Sequence, residues 1–199
     1  SVVIPEKVEY DGIWYTVTSL DGAFSGCTKL TSVTIPNSVT NIGSYTFSDC
    51  TSLNTITIPN SVTSMGDNAF EDCTGLNSIT MGNSVTSIGI AAFRGCVSLT
   101  SITIPSSVTS IDGYAFDECT SLTSVHISNL KSWCNIAFYN LESNPLRYAH
   151  HLFLNGVEIN DLVIPNSITS IKWGAFSNCF GLTSVTIPNS VESIGDLAF

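Results

Sequence analysis

A repeat of 23 residues constrains this sequence more than any other feature. Segments similar to residues 30–39 recur along the chain. Their proline position is occupied in turn by Pro5, Pro36, Pro59, Gly82, Pro105, Ser128, Pro165 and Pro188. Five of the seven steps between these positions are 23 residues long, and the other two carry insertions of 8 and 14 residues. A fixed period of this length is typical of repeat solenoids. We therefore predict a stack of about eight coils.

Each repeat also contains an extended segment in which apolar and hydroxylated side chains alternate. Val33 and Ile35 would point to one side of such a segment, and Ser32 and Thr34 to the other. One coil cannot bury its apolar side alone. Parallel stacking at roughly 4.8 Å per coil solves this, because it creates continuous apolar columns inside and a Ser/Thr-rich sheet outside.

Two other residue types recur in a fixed phase. The aromatic position is Phe24, Phe47, Phe70, Phe93, Phe116, Phe176 and Phe199, and the cysteine position is Cys27, Cys50, Cys73, Cys96, Cys119 and Cys179. Free cysteine packs as a small hydrophobe, and parallel neighbours do not readily reach disulfide geometry. We predict a buried column of free thiols. Cys134 lies outside this phase, so an exposed position is open to it, and its redox state is not determined by the pattern.

The pattern Leu-x-x-Val-x-Ile-Pro-x-Ser-Val-x-x-Ile-Gly-x-x-Ala-Phe-x-x-Cys resembles the BspA-type class of leucine-rich repeats over nearly the whole chain. The resemblance implies a right-handed leucine-rich-repeat coil stack, with a parallel β-sheet on one face and short helical or irregular turns on the other. Members of this class are typically surface or secreted proteins of bacteria and some protists. Several are implicated in adhesion to host matrix proteins or cells. A secreted or cell-surface location is thus implied.

We expect one leucine-rich-repeat domain over residues 1–199. Its parts are a cap-like unit with a hairpin at 1–26, regular repeats at 27–128, an irregular insertion at 129–158, and regular repeats at 159–199 that stop partway through a coil. The chain also lacks a starting Met, so we interpret it as a mature or trimmed fragment. The Asp-Gly pair at residues 11–12 predicts a hairpin, which we expect to cap the N-terminal end of the stack.

The second insertion begins with apolar residues at helical spacing. Leu130, Trp133, Ala137 and Leu141 favour a helix that ends before Asn144-Pro145. Asn155-Gly156 then predicts a second hairpin.

The charge balance excludes some classes of partner. Six basic and 16 acidic residues give a formal net charge of −10. A phosphate backbone would be repelled, so we expect no nucleic-acid partner. Anionic membrane surfaces are disfavoured for the same reason. No apolar run approaches the roughly 20 residues of a membrane helix, so we expect no membrane insertion by this segment.

Catalytic and metal-binding patterns are weak. Cys134, His150, His151, Glu158 and Asp161 could be assembled into a nucleophile or metal site, but adjacent histidines on an extended segment face opposite sides. Acidic residues before several of the column cysteines could hold calcium weakly, although Gly or Asn replaces them in other repeats. We therefore predict no enzyme activity, no cofactor and no metal.

The sequence favours a non-catalytic extracellular binding or adhesion module whose ligand is a protein or glycan of the host matrix or cell surface. The alternative is a structural spacer that displays other domains. Oligomeric state stays open. Candidate ligand-binding residues lie where the second insertion breaks the regular pattern, and they are Ser124, His126, Trp133, Tyr139, Arg147, Tyr148, His150, His151, Asp161 and Val163. The Ser/Thr columns are a second possible contact surface, although hydroxylated residues also simply suit exposed strands.

Overall fold

The computed structural model describes residues 1–199, and the chain forms a solenoid with two columns of short strands. The front strands follow the alternating segments. They are Val2–Val3, Val33–Thr34, Thr55–Thr57, Ser78–Thr80, Ser101–Thr103, Ser124–Ile127, Leu152–Leu154, Asp161–Val163 and Ser184–Thr186. Pairing within this front sheet is parallel, as predicted, with Ser101 opposite Ser124 and Thr55 opposite Ser78.

A second column of strands lies one corner further along each coil. These lateral strands are Ser19–Leu20, Asn41–Ile42, Ser64–Met65, Ser87–Ile88, Ser110–Ile111, Ala137–Phe138, Ser170–Ile171 and Ser193–Ile194. The first six form one continuous parallel sheet. The sequence analysis did not predict this sheet, because two residues per strand leave no alternation to detect.

The interior is built from the predicted columns. Val33 and Ile35 are buried while Thr34 is exposed, which confirms the assignment of the two sides. The rings of Phe24, Phe47, Phe70, Phe93 and Phe116 stack in series, with centroids 5.2–5.4 Å apart. Each side chain thus fills the space above its copy in the preceding coil, and the core runs along the stack.

The cysteine column is confirmed for five of its six members, whereas Cys27, in the first coil, is exposed and its predicted burial is wrong. Cys50, Cys73, Cys96 and Cys119 are buried, and all seven cysteines are free. Their thiols donate to the carbonyl oxygen of the phenylalanine in the preceding coil at 3.0–3.2 Å. Burial raises the pKa of the Cys73 thiol to about 12. These thiols therefore stay protonated near neutral pH.

The backbone conformation explains which residue types precede the column cysteines. This corner adopts a positive φ of 54–72° in Gly26, Asp49, Asp72, Gly95, Glu118 and Asn178. Gly, Asn and Asp tolerate the left-handed region better than most residues. The acidic residues thus occupy a strained corner, and no group of three or more His, Cys, Asp or Glu side chains is arranged to hold a metal ion.

The first insertion forms the predicted hairpin, with Lys7–Tyr10 antiparallel to Ile13–Thr16. Its strands are exposed along their whole length, so the hairpin itself projects into solvent. The first coil is only partly covered: Ile4 is 7% exposed and its counterpart Ile187 in the last coil 41%, but Val2 at 36% is about as exposed as its counterpart Val185 at 39%. Half-buried Val17 at the base of the hairpin packs against the core.

The predicted helix in the second insertion is only partly correct. An α-helix spans Leu130–Cys134, where the Asn129 side chain accepts from Ser132 N, and a short 3₁₀ helix (Leu141–Ser143) and a second α-helix (Leu146–Ala149) follow. Ala137 does not continue the first helix, because it pairs with Ser110 as a lateral strand. The second hairpin is confirmed, with Leu152–Leu154 antiparallel to Val157–Glu158.

The sequence left open that Cys134 is exposed, and this possibility is wrong because Cys134 is buried. It lies at the end of a helix whose apolar side faces the core, and burial raises the pKa of its thiol to about 12.

One thiol in seven should react in the folded protein. Cys27 is the only exposed cysteine, and the other six are buried with raised pKa values where a shift is resolved. Because the thiolate is the reactive form, we expect a chromogenic disulfide reagent to titrate one equivalent quickly and the remaining six only in denaturant. Cys27→Ser removes the fast equivalent. Rapid reaction of two or more thiols in the folded wild type would contradict a closed column.

Candidate binding surface

The ten predicted ligand-binding residues do not form one cluster. Four lie on front strands, one directly before the front strand Leu152–Leu154, three at the edge formed by the Leu146–Ala149 helix and the residue after it, one on the lateral side and one in the core. In that order they are Ser124, His126, Asp161 and Val163; His151; Arg147, Tyr148 and His150; Tyr139; and Trp133. The structure brings only a subset together.

Trp133 is not a surface residue, so its prediction as a direct ligand contact is wrong. It is 1% exposed, and its Nε1 donates to the Ala175 carbonyl at 2.9 Å. Its ring meets Phe138 edge-on at 5.4 Å between centroids. Trp133 therefore ties the irregular unit to the coil that follows it.

A row of side chains at the irregular unit crosses three front strands and the hairpin strand Val157–Glu158, which is paired with the last of them. The strand register places Thr103, His126, Phe153 and Glu158 side by side. The imidazole of His126 stacks on the Phe153 ring at 4.9 Å, and its Nε2 lies 3.1 Å from Ser124 Oγ. The regular repeats carry threonine at this position, so the hydroxyl column gives way here to two rings and a carboxylate.

His151 completes this surface. It lies two residues before Phe153, hence on the same side of the strand, and its Nδ1 is 2.6 Å from Glu158 Oε1. We call Ser124, His126, His151, Phe153 and Glu158 the front patch. Sequence reasoning found three of its members. Phe153 was missed, and Glu158 was considered only for a nucleophile or metal site. The alternation around the Asn155-Gly156 turn places both on one face and could have indicated them.

Two further candidates lie on the next front strand along the chain. Val163 is 63% exposed. The exposed Asp161 carboxylate accepts from Ser184 Oγ at 2.6 Å and from Thr183 Oγ1 at 3.1 Å, and these hydrogen bonds lower its pKa. Asp161 therefore stays charged and is anchored to the following coil.

The edge residues are engaged within the chain. Tyr148 Oη donates to Asp117 Oδ1 at 3.0 Å and accepts from Glu118 N at 3.0 Å, and burial raises its pKa. His150 adopts a left-handed conformation and stacks on Phe180 at 4.5 Å. Arg147 pairs with Glu142 at 3.6 Å. This edge therefore fastens the irregular unit to both neighbouring coils.

A shallow groove of about 790 Å³ lies on the front sheet of the regular coils. Threonine hydroxyls and the amides of Asn37, Asn60 and Asn83 line it, and Asn60 Oδ1 accepts from Asn83 N at 2.8 Å. Gly82 replaces the repeat proline on its floor. The groove offers many small polar contacts and no charged side chain.

This architecture defines a class, a β-solenoid of leucine-rich repeats. The BspA type leucine rich repeat region matches residues 20–144 and 148–199 in six copies, and the chain belongs to this family. No protein of curated function matches the sequence significantly.

Several solved structures are similar to this chain. The T. pallidum leucine rich repeat protein TpLRR has a TM-score of 0.60 and 27% identity, over 97% of this chain and 72% of its own. A leucine rich cell surface protein from Faecalibacterium prausnitzii has a TM-score of 0.46 and 29% identity, over 100% of this chain and 66% of its own. The pneumococcal vaccine antigen PcpA has a TM-score of 0.51 and 20% identity, over 100% of this chain and 57% of its own. Identity this low shows a similar fold alone. No helix of this chain is long and apolar enough to cross a membrane.

Proposed function

We propose that this chain is a non-catalytic protein-binding module of a secreted or cell-surface protein, and that it acts in adhesion through its front patch. The observation that carries the proposal is the cross-strand row in which His126, Phe153 and Glu158 replace the threonines of the regular repeats. Membership of the BspA-type family supports it, because that class is typically found at surfaces and is not known for catalysis.

The chemistry of the front patch suits a protein ligand. Contact energy in protein interfaces is concentrated in a few residues, often aromatic, surrounded by polar groups. The stacked His126 and Phe153 rings supply an aromatic centre, while Ser124 and the His151–Glu158 contact supply polar partners beside it. The strands beneath are paired on both sides, so little ordering entropy is lost on binding.

An array of extracellular-matrix proteins, cell-surface proteins and glycans tests this proposal. We expect the purified chain to bind at least one protein on the array. The double variant His126→Thr/Phe153→Thr restores the regular pattern and should weaken that binding by about tenfold or more, as hot-spot loss does. The matched control Thr34→Ala/Thr57→Ala alters the same sheet in regular coils and should change binding by less than about twofold.

Three results would contradict the proposal. Equal binding by both double variants would move recognition away from the front patch. Binding only to glycans, lost in the control variant, would assign recognition to the groove of hydroxyls and amides. No binding at all by the wild type would favour a structural spacer.

A further inference from the structure

A second concave site lies on the lateral side, away from the front patch. It is a cleft of about 330 Å³ lined by Ile90, Asp112, Gly113, Tyr114 and Tyr139. Its apolar walls are open to solvent, since Ile90 is 48% exposed, Tyr114 51% and Tyr139 78%.

The cleft lies in a coil whose residue after the lateral strand is not glycine. Gly43, Gly66 and Gly89 follow the lateral strands of the three preceding coils, whereas Asp112 occupies that position here, as Asp21 does in the first coil. The next residue, Gly113, lets the following coil come close, because a Cβ there would lie 3.1 Å from Tyr139 Cδ1. The amide oxygen of Asn140 accepts from Tyr114 N at 3.2 Å and holds the two coils in this arrangement.

The electrostatics of the cleft are unbalanced. The Asp112 carboxylate forms no ion pair and accepts no hydrogen bond within the chain. Asp67 lies nearby, with its Oδ1 accepting from Ile90 N at 2.8 Å. Burial, and secondly the Asp67 charge, raise the pKa of Asp112. No basic residue lines the cleft, so a carboxylate without a counter-ion lies beside two tyrosine rings.

We propose that this cleft binds a cationic side chain of a protein partner, and that it prefers arginine to lysine. Cations are attracted to the faces of aromatic rings. A guanidinium is planar, stacks on tyrosine and can reach one carboxylate through two parallel N–H groups, whereas an ammonium offers a point charge. Complementarity of charge supports this occupant, because the chain carries a net charge of −10 and the cleft holds its own unpaired carboxylate.

Amide NMR of the full chain tests the proposal with N-acetyl-arginine amide as the probe. We expect saturable shifts centred on Gly113, Tyr114, Tyr139 and Asn140. N-acetyl-citrulline amide has the same shape without the charge and should give no saturable shift, and N-acetyl-lysine amide should bind more weakly than the arginine probe. Equal shifts with the citrulline probe, or shifts outside the cleft only, would overturn the proposal.

Substitutions test whether the arginine probe binds in this cleft. Tyr139→Ala and Asp112→Asn should each weaken arginine binding by about fivefold or more. Tyr45→Ala is the matched control, because Tyr45 shares the repeat position, the 51% exposure and the positive φ of Tyr114 but is flanked by Gly43 and Gly66 instead of Asp112 and Tyr139. It should leave binding unchanged, as should the front-patch double variant. Equal loss in the Tyr45 variant, or binding of a neutral methyl glycoside in place of arginine, would overturn the assignment.

Discussion

Replacing Phe93 with alanine will lower the free energy of unfolding by about 3–5 kcal/mol, the range for deleting a fully buried phenyl ring. Phe93 is 0% exposed, and its ring stacks on Phe70 at 5.4 Å and on Phe116 at 5.3 Å. Phe70 cannot move into the cavity without leaving Phe47, on which it also stacks. Urea unfolding followed by far-UV circular dichroism measures the change.

Phe24 provides the matched control for this prediction. It occupies the same repeat position at the end of the column, is half-buried, and stacks on one side only, against Phe47. Phe24→Ala should therefore lower the free energy of unfolding by less than half as much as Phe93→Ala. Equal losses for the two variants would show that stacking along the column is not the source of stability.

Replacing Trp133 with alanine will have a comparable effect, about 3–5 kcal/mol, and will also uncouple the two parts of the stack. Trp133 is buried where the irregular unit meets the next coil, and its indole N–H holds the Ala175 carbonyl. Repeat proteins are stabilised mainly by contacts between neighbouring units. In the Trp133→Ala variant we therefore expect residues 159–199 to unfold at a lower urea concentration than residues 1–128. The wild type should unfold in fewer steps.

Trp133→Phe separates packing from the hydrogen bond in this prediction. It keeps most of the buried ring and leaves the Ala175 carbonyl without its donor, which should cost about 1–3 kcal/mol. Hydrogen exchange along the urea series reports the two parts separately. A single cooperative transition in Trp133→Ala, with unchanged midpoint, would show that the junction does not depend on this side chain.

The repeat made most of the fold predictable from the sequence. Strict phase assigns Val33, Phe93 and Cys96 to interior columns without any structural information, because identical spacing places them above one another. The lateral strands could not be found in this way, since a pair of residues such as Ser87–Ile88 carries no alternation. The left-handed corner at Asp49 and Asp72 was also not predicted, although Gly and Asn at the same position in other repeats could have indicated it.

The candidate site was harder to predict because it depends on the insertion. Repeats pair at an offset of 23 residues, but the irregular unit pairs Val125 with Leu152, an offset of 27. That shift puts Phe153 beside His126, and phase counting alone cannot reveal it. Helical spacing was equally misleading at Ala137, where pairing with Ser110 in the lateral sheet prevails over continuation of the helix.

Footprinting of the bound ligand tests the central claim most directly. Amide hydrogen exchange would be measured for the chain alone and with the strongest protein ligand from the array. The front-patch account predicts slower exchange in the front strands Ser101–Thr103, Ser124–Ile127 and Leu152–Leu154, with the edge containing Phe180 unchanged. Protection confined to that edge or to the N-terminal hairpin, with these three strands unaffected, would contradict it.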